Sequence, residues 1–176
     1  ITCLAVALCS TGAFAQYYFN SYPAAGINPG SLNADLEYPN GGGLAAGWSP
    51  LVGPSVSTPA WSANQTIPFS FSFNGTAETS YKVSSTGVLT FSTAATSVPA
   101  RFQKATLPDA NIPDKSVCVW GIEASGSNDY ALSKTFGTAP NRQHWVFFSS
   151  HALGGSGWSY WSIVLEETTN NIYIVD

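Results

Sequence analysis

The chain has 176 residues, of which 9% are charged, and carries a net charge of −4 with only six Lys and Arg spread along it. That length suits a single domain, and the charged fraction is far below the roughly 25% of an ordinary soluble domain. The polar surface must therefore come from Ser, Thr, Asn and Gly, as in extracellular β proteins. Without any basic stripe, nucleic acid and anionic membrane surfaces are excluded as partners.

Residues Ile1 to Ala15 are an apolar run ending in the small-x-small triplet Ala13-Phe14-Ala15. This is the pattern of the tail of a secretory signal peptide, with cleavage expected between Ala15 and Gln16. The run is shorter than the ~20 apolar residues of a membrane-spanning helix, and the bulky Leu8 before Cys9 argues against a lipoprotein. No Met occurs, and the final IYIVD reads as the middle of a strand, so the sequence is expected to be part of a longer open reading frame. Residues 16–47 are rich in Gly, Pro, Asn and Ala and read as an extended lead-in lying along the domain, with Leu36, Tyr38 and the following Trp48 expected to plug grooves.

The domain itself is expected over 48–176. Pro50, Pro54 and Pro59 keep its first segment, an expected early edge strand, out of any sheet centre. From Ile67 the signal sharpens. Ile67, Phe69, Phe71 and Phe73 alternate with Pro68, Ser70 and Ser72, the period-2 pattern of a half-buried strand. Asn74-Gly75 supplies a tight turn, Tyr81 to Ser85 alternates again, and Thr86-Gly87 turns the chain into Val88 to Phe91. A proline-rich loop follows, in which Asp109 and Asp114 are expected to form Asx-turns. Further strands are expected at Val117–Ile122, Tyr130–Phe136, His144–Phe148, Trp158–Glu166 and Ile172–Val175, with the apolar run HWVFF marking a central strand. Short strands, turn signals roughly every 8–12 residues and no helical period predict an all-β fold, an antiparallel two-sheet sandwich of jelly-roll type.

The order of these segments carries a resemblance. IPFSFSFNGT is followed by the YKVSSTGVLTF hairpin, the loop and strand LPDANIPDKSVCVWGI, the strand HWVFFSS and the hairpin WSIVLEETTNNIYIVD. Over Trp61 to Asp176 this resembles a β-sandwich domain of secreted Bacteroidota proteins, often cargo of type IX secretion, that is distantly similar to nidogen-type extracellular domains. The resemblance implies a non-enzymatic surface or secreted module with no catalytic motif to carry over. Where relatives place acidic residues just after the Trp of the central strand, Trp120 is followed by Gly121, Ile122 and Glu123, so any calcium binding through those acids is not expected to carry over.

Candidate chemistry is sparse. His144 and His151 fit no zinc spacing and are expected at strand ends near solvent. Ser156 in GGSGW lacks the final Gly of a nucleophile elbow. Cys118, alone after signal cleavage, is expected to be an inert buried thiol. No cofactor motif is present; the loop acids Asp109, Asp114 and Asp129 are the candidate Ca²⁺ ligands, without a D-x-D-x-D-G loop. Glu166 and Glu167 are adjacent and point to opposite faces of a strand, so the only carboxylate pair weighed for a hydrolase is Glu123 with Glu166. In Trp158–Glu166, alternation places Trp161 with Ile163 and Leu165 in the core, and Trp158 and Tyr160 on the other, more exposed face or under a neighbouring loop. Rings there are candidates for stacking on sugar faces. The expected function is a secreted, non-catalytic surface or matrix module for adhesion, structural assembly or glycan binding. Its expected partner is a polysaccharide or surface protein, or a second copy through exposed strand edges. The competing reading is a jelly-roll glycoside hydrolase with Glu123 and Glu166 as its acids.

Overall fold

The computed structural model describes residues 28–35, 44, 46–104, 106–119 and 121–175. The expected signal peptide remnant 1–15, Leu36, Tyr38 and Trp120 lie outside the described residues. Ten strands are described: β1 Ser49–Val52, β2 Gln65–Phe73, β3 Thr76–Val83, β4 Val88–Thr90, β5 Ser116–Cys118, β6 Ile122–Glu123, β7 Tyr130–Thr138, β8 Asn141–Leu153, β9 Trp158–Glu166 and β10 Ile172–Val175. They form two antiparallel sheets. The smaller has the order β2-β3-β4-β5; the larger has the order β1-β7-β8-β9-β10, with β6 pairing the far end of β8.

The expected antiparallel sandwich is what forms. Its wiring is simpler than that of a jelly roll, because within each sheet the neighbours follow one another in sequence, apart from β1 beside β7 and β6 beside β8. Tight turns enforce this. Asn74 (φ 48°) and Gly75 (φ 76°) close the β2–β3 hairpin, and Thr138 faces Asn141 across the two-residue turn of the β7–β8 hairpin.

The inner core is built from alternate residues of both sheets. Ile67, Phe69, Phe71, Tyr81, Val83 and Leu89 from the small sheet meet Val146, Phe148, Ile163 and Leu165 from the large one. Phe91 lies 5.6 Å from Phe71 and 5.1 Å from Phe73, ring centre to ring centre. Most sandwiches leave the outer face of a sheet to water. Here the outer face of the large sheet carries a second apolar layer of Trp145, Phe147, Phe136 and Leu132, joined by Tyr160 and Tyr173. Part of the lead-in and the residue that follows it, Trp48, cover it. Trp48 packs at 5.8 Å from Phe136 and 5.7 Å from Phe147, and Leu32 joins the same cluster. The lead-in is also tied down by polar contacts: the Gln143 amide donates to the Pro29 carbonyl at 3.0 Å, and Asp35 accepts from the Trp48 indole and pairs with Lys134. Burying a ring such as Trp145 or Phe147 on this face contributes roughly 2–3 kcal/mol.

Two sequence expectations are corrected. Val117–Ile122 is not one strand: it divides into β5 in the small sheet and β6 in the large one. Gly121 (φ 26°) makes the crossing, where a side chain would meet the Gln103 carbonyl oxygen at 3.2 Å. His144 and His151 are not strand ends near solvent. β8 runs 13 residues, past both of them, and buries both.

Candidate functional site

The turn Ser84-Ser85-Thr86-Gly87 is buried rather than exposed, and it gathers the loops at one end of the sandwich. The Ser84 hydroxyl accepts from the Val88 amide at 3.0 Å and lies 2.9 Å from the Thr86 hydroxyl. Thr86 donates to the Pro99 carbonyl at 3.1 Å. The Ser85 amide donates to the Ala60 carbonyl while the Ser85 hydroxyl accepts from the Ala60 amide, the Ser85 carbonyl accepts from the Ala124 amide, and the Gly87 carbonyl accepts from Val119. Four separate segments are thus fastened to one hairpin tip, with the orphan polar groups of the turn satisfied by them.

The long loop after Phe91 is held by basic side chains that the sequence did not flag. Lys82 is buried; its ammonium donates to the carbonyls of Thr93 (3.0 Å) and Ala95 and lies 4.8 Å from the centre of the Trp61 ring. Arg101 donates to the Ser57 carbonyl, and its Nε stands 2.7 Å from Oε1 of Glu123. That contact is an ion pair without an aligned hydrogen bond, since Oε1 has no hydrogen-bond partner. Glu123 is only 1% exposed, and burial pushes its carboxyl above the usual range despite Arg101, with Asp129 adding to the rise. Asp129 is buried too, accepting from the Gly126 amide at 2.6 Å, and burial raises its carboxyl as well.

A polar chain joins the two sheets. The Tyr81 hydroxyl lies 2.6 Å from Nε2 of His144, whose Nδ1 lies 2.9 Å from the Thr135 hydroxyl. Burial lowers His144 to about 4 and drives the Tyr81 phenol well above its ordinary value. His151 is pushed down to about 4 by the same cause, with its Nε2 buried and without a partner. Cys118 is a free, partly buried thiol that burial pushes up to about 11, far from a reactive thiolate.

An open cleft of about 390 Å³ lies at the sandwich edge, lined by Ser70, Ser72, Ala77, Glu167, Thr168 and Asn170. Its most polar groups are already engaged. Glu167 takes a bidentate pair from Arg142 at 2.8 and 2.6 Å, and the Asn170 side-chain oxygen accepts from the Ser72 amide at 2.7 Å. Arg142 therefore holds the Glu167 carboxyl below its usual range.

Residues 49–175, which span all ten described strands, match the family described as NIDO related. The chain belongs to the NIDO-related family. No curated protein and no solved structure matches it. The match carries the nidogen-like part of the resemblance read from the strand order.

Within this NIDO-related domain the sequence-derived candidates are scattered. Glu123 pairs with Ala152 and Glu166 with Gln143, nine positions apart along β8, so about 30 Å separates them at ~3.4 Å per residue. Glycosidase carboxylates stand roughly 5–10 Å apart, so Glu123 and Glu166 do not form the expected pair. Burial would raise Glu166, but hydrogen bonds from Thr169, Gln143, Asn171 and Tyr173 hold it low. Among the described residues, no three of His, Cys, Asp and Glu stand together as a metal-holding group, so Asp109, Asp114 and Asp129 do not converge as Ca²⁺ ligands. Asp109 forms its expected Asx-turn, accepting from the Asn111 amide at 2.8 Å. Of the aromatic pair, Tyr160 is half-buried, stacked 6.4 Å from Phe147 as part of the outer layer. Trp158 is 67% exposed. Trp161 packs against the inner core, on the side that alternation assigns. No described helix is long and apolar enough to cross a membrane.

Proposed function

We propose that this domain is a secreted, non-catalytic surface module that captures polysaccharide, with Trp158 as its stacking platform. The observation that carries the reading is an imbalance. Among the described residues, the one large ring left mostly in solvent is Trp158 on β9, held by its pairing with Ala152 of β8, whereas Glu123, Glu166, His144 and His151 are buried or engaged inside the domain. A ring on a rigid strand offers a large apolar face at little entropic cost, which suits the apolar face of a pyranose. Tyr160, two residues on and on the same face by alternation, stacks on Phe147 rather than standing free.

The same reading makes the domain a unit of adhesion at a bacterial cell surface, in cargo of the type IX route of Bacteroidota, and makes capture independent of metal. A glycan array and pull-down on insoluble polysaccharides test it. Trp158→Ala should weaken retention at least tenfold, about 1.4 kcal/mol, and chelation by EDTA should leave retention unchanged. Retention that survives Trp158→Ala refutes the reading.

A further inference from the structure

Alternation and register set one row of residues across the large sheet on a single face. Trp158 alternates with Tyr160, a member of the outer apolar layer, so Trp158 stands on the outer face as well. Its partner across the ladder is Ala152 of β8, and Ala152 pairs on its other side with Glu123 of β6. Paired residues share a face. The row therefore reads Trp158, Ala152, Glu123, with its ends about 10 Å apart at two strand spacings.

The ends of this row are tall and its middle is low. Trp158 is 67% exposed, and Ala152 adds only a methyl group. Glu123 is buried against Arg101, whose Nε stands 2.7 Å from its Oε1 and whose side chain is 41% exposed. The Arg101–Phe102 segment crosses this end of the sheet: a Cβ added to Gly154, two residues past Ala152, would lie 3.4 Å from the Cβ of Phe102. Arg101 directs Nε to Glu123 and Nη2 to the Ser57 carbonyl, and among the described residues nothing takes up its Nη1.

This is a trough floored by Ala152, with an indole on one side and a guanidinium on the other. We infer that the trough is a subsite for one unit of a neutral polysaccharide, in which a pyranose stacks on Trp158 above Ala152 and its far hydroxyls accept from Arg101. The inference rests on the polysaccharide reading and adds to it the class of sugar and a specificity-determining residue. Charge decides the class. Glu123 already neutralises Arg101, Asp129 stands near enough to raise the Glu123 carboxyl further, and the chain carries a net −4. A uronate or sulfate would meet no unpaired cation there and two carboxylates close by, whereas a hydroxyl needs only a free N–H.

A glycan array and pull-downs that set cellulose, chitin and mannan against polymannuronate, polygalacturonate and heparan sulfate test it. The wild type should hold neutral polymers and leave the acidic ones at background. Ala152→Leu fills the floor and should lower retention at least tenfold, about 1.4 kcal/mol, at an unchanged melting temperature, while Ala152→Ser should bind as the wild type does. Arg101→Lys keeps the charge beside Glu123 but loses the planar fork, and should lower retention about tenfold. Retention that is lost in Trp158→Ala but kept in Ala152→Leu, or acidic polymers held as well as neutral ones, overturns the inference and leaves the polysaccharide reading standing. Retention indifferent to Trp158 removes both. If Ala152→Leu does not fold, the neutral-against-acidic comparison on the wild type and the loss in Arg101→Lys decide.

Discussion

Replacing Gly87 by Ala tests whether the buried turn binds the two sheets and their loops into one body. The residue sits at φ 87°, and an added Cβ would lie 2.7 Å from Cγ1 of Ile122, 2.7 Å from Cγ2 of Val119 and 3.0 Å from Cδ1 of Ile122. Two costs follow. A non-glycine residue at positive φ costs about 1–2 kcal/mol, and forcing a methyl into a packed core costs a further ~1–3 kcal/mol. The sum, about 2–5 kcal/mol, is a large share of the ~5–15 kcal/mol that a domain has, and lowers the melting temperature by roughly 5–15 °C at this size. Gly75→Ala is the matched control: its φ is 76°, but nothing lies within 4 Å of the added Cβ. It should show the backbone cost alone. Urea unfolding of both variants separates the terms, with Gly87→Ala about 2 kcal/mol the more destabilised. Equal losses in the two variants would mean that Val119 and Ile122 do not close over the turn, and the reasoning fails.

Acid should weaken the domain. His144 and His151 sit near 4 in the fold through burial, against an ordinary 6.5, so between those values the unfolded chain binds more protons. Stability is complete above about pH 6.5 and drains away down to about pH 4, by about 3 kcal/mol for each histidine; urea midpoints at pH 7 and pH 4 measure it, and an unchanged midpoint contradicts the burial of both rings. Tyr81→Phe removes the hydroxyl 2.6 Å from Nε2 of His144 and should cost about 1–3 kcal/mol at pH 7 by leaving that nitrogen unpaired. Arg101→Ala leaves the Glu123 carboxylate buried and unpaired, at a cost of about 1–3 kcal/mol. Because burial raises Glu123, the charged form is the unfavourable one, so this loss should grow as pH rises, and Arg101→Ala with Glu123→Gln should recover most of it in thermal melts.

The strands whose one face meets the core were plain in the sequence. β9 and β10 begin and end where alternation and the Thr168–Asn171 turn place them, and β2 shows the expected inward row of Ile67, Phe69 and Phe71. The continuous apolar run at His144–Phe148 also pointed to a central strand, and Trp48, one of the residues expected to plug a groove, packs on the outer face of the large sheet. Thr86-Gly87 was legible as a turn, but its burial depends on Ala60, Pro99, Val119 and Ala124, which come from four distant places and leave no local mark. The division of Val117–Ile122 was hidden for a similar reason, since an apolar run reads the same whether it serves one sheet or two. The histidines were misplaced because apolar content ends at Phe148 while the hydrogen-bonded ladder continues through Ser149, His151 and Ala152. Arg101 and Lys82 looked like isolated surface charges, because their partners are mostly main-chain carbonyls and an acid that only the fold brings near.

The most direct test is a side-by-side retention and cleavage assay on insoluble polysaccharides, using wild type, Trp158→Ala and Glu166→Gln. The proposed capture predicts that retention collapses in Trp158→Ala, persists in Glu166→Gln, and is never accompanied by new reducing ends. Retention indifferent to Trp158, or reducing ends that vanish with Glu166→Gln, would contradict it.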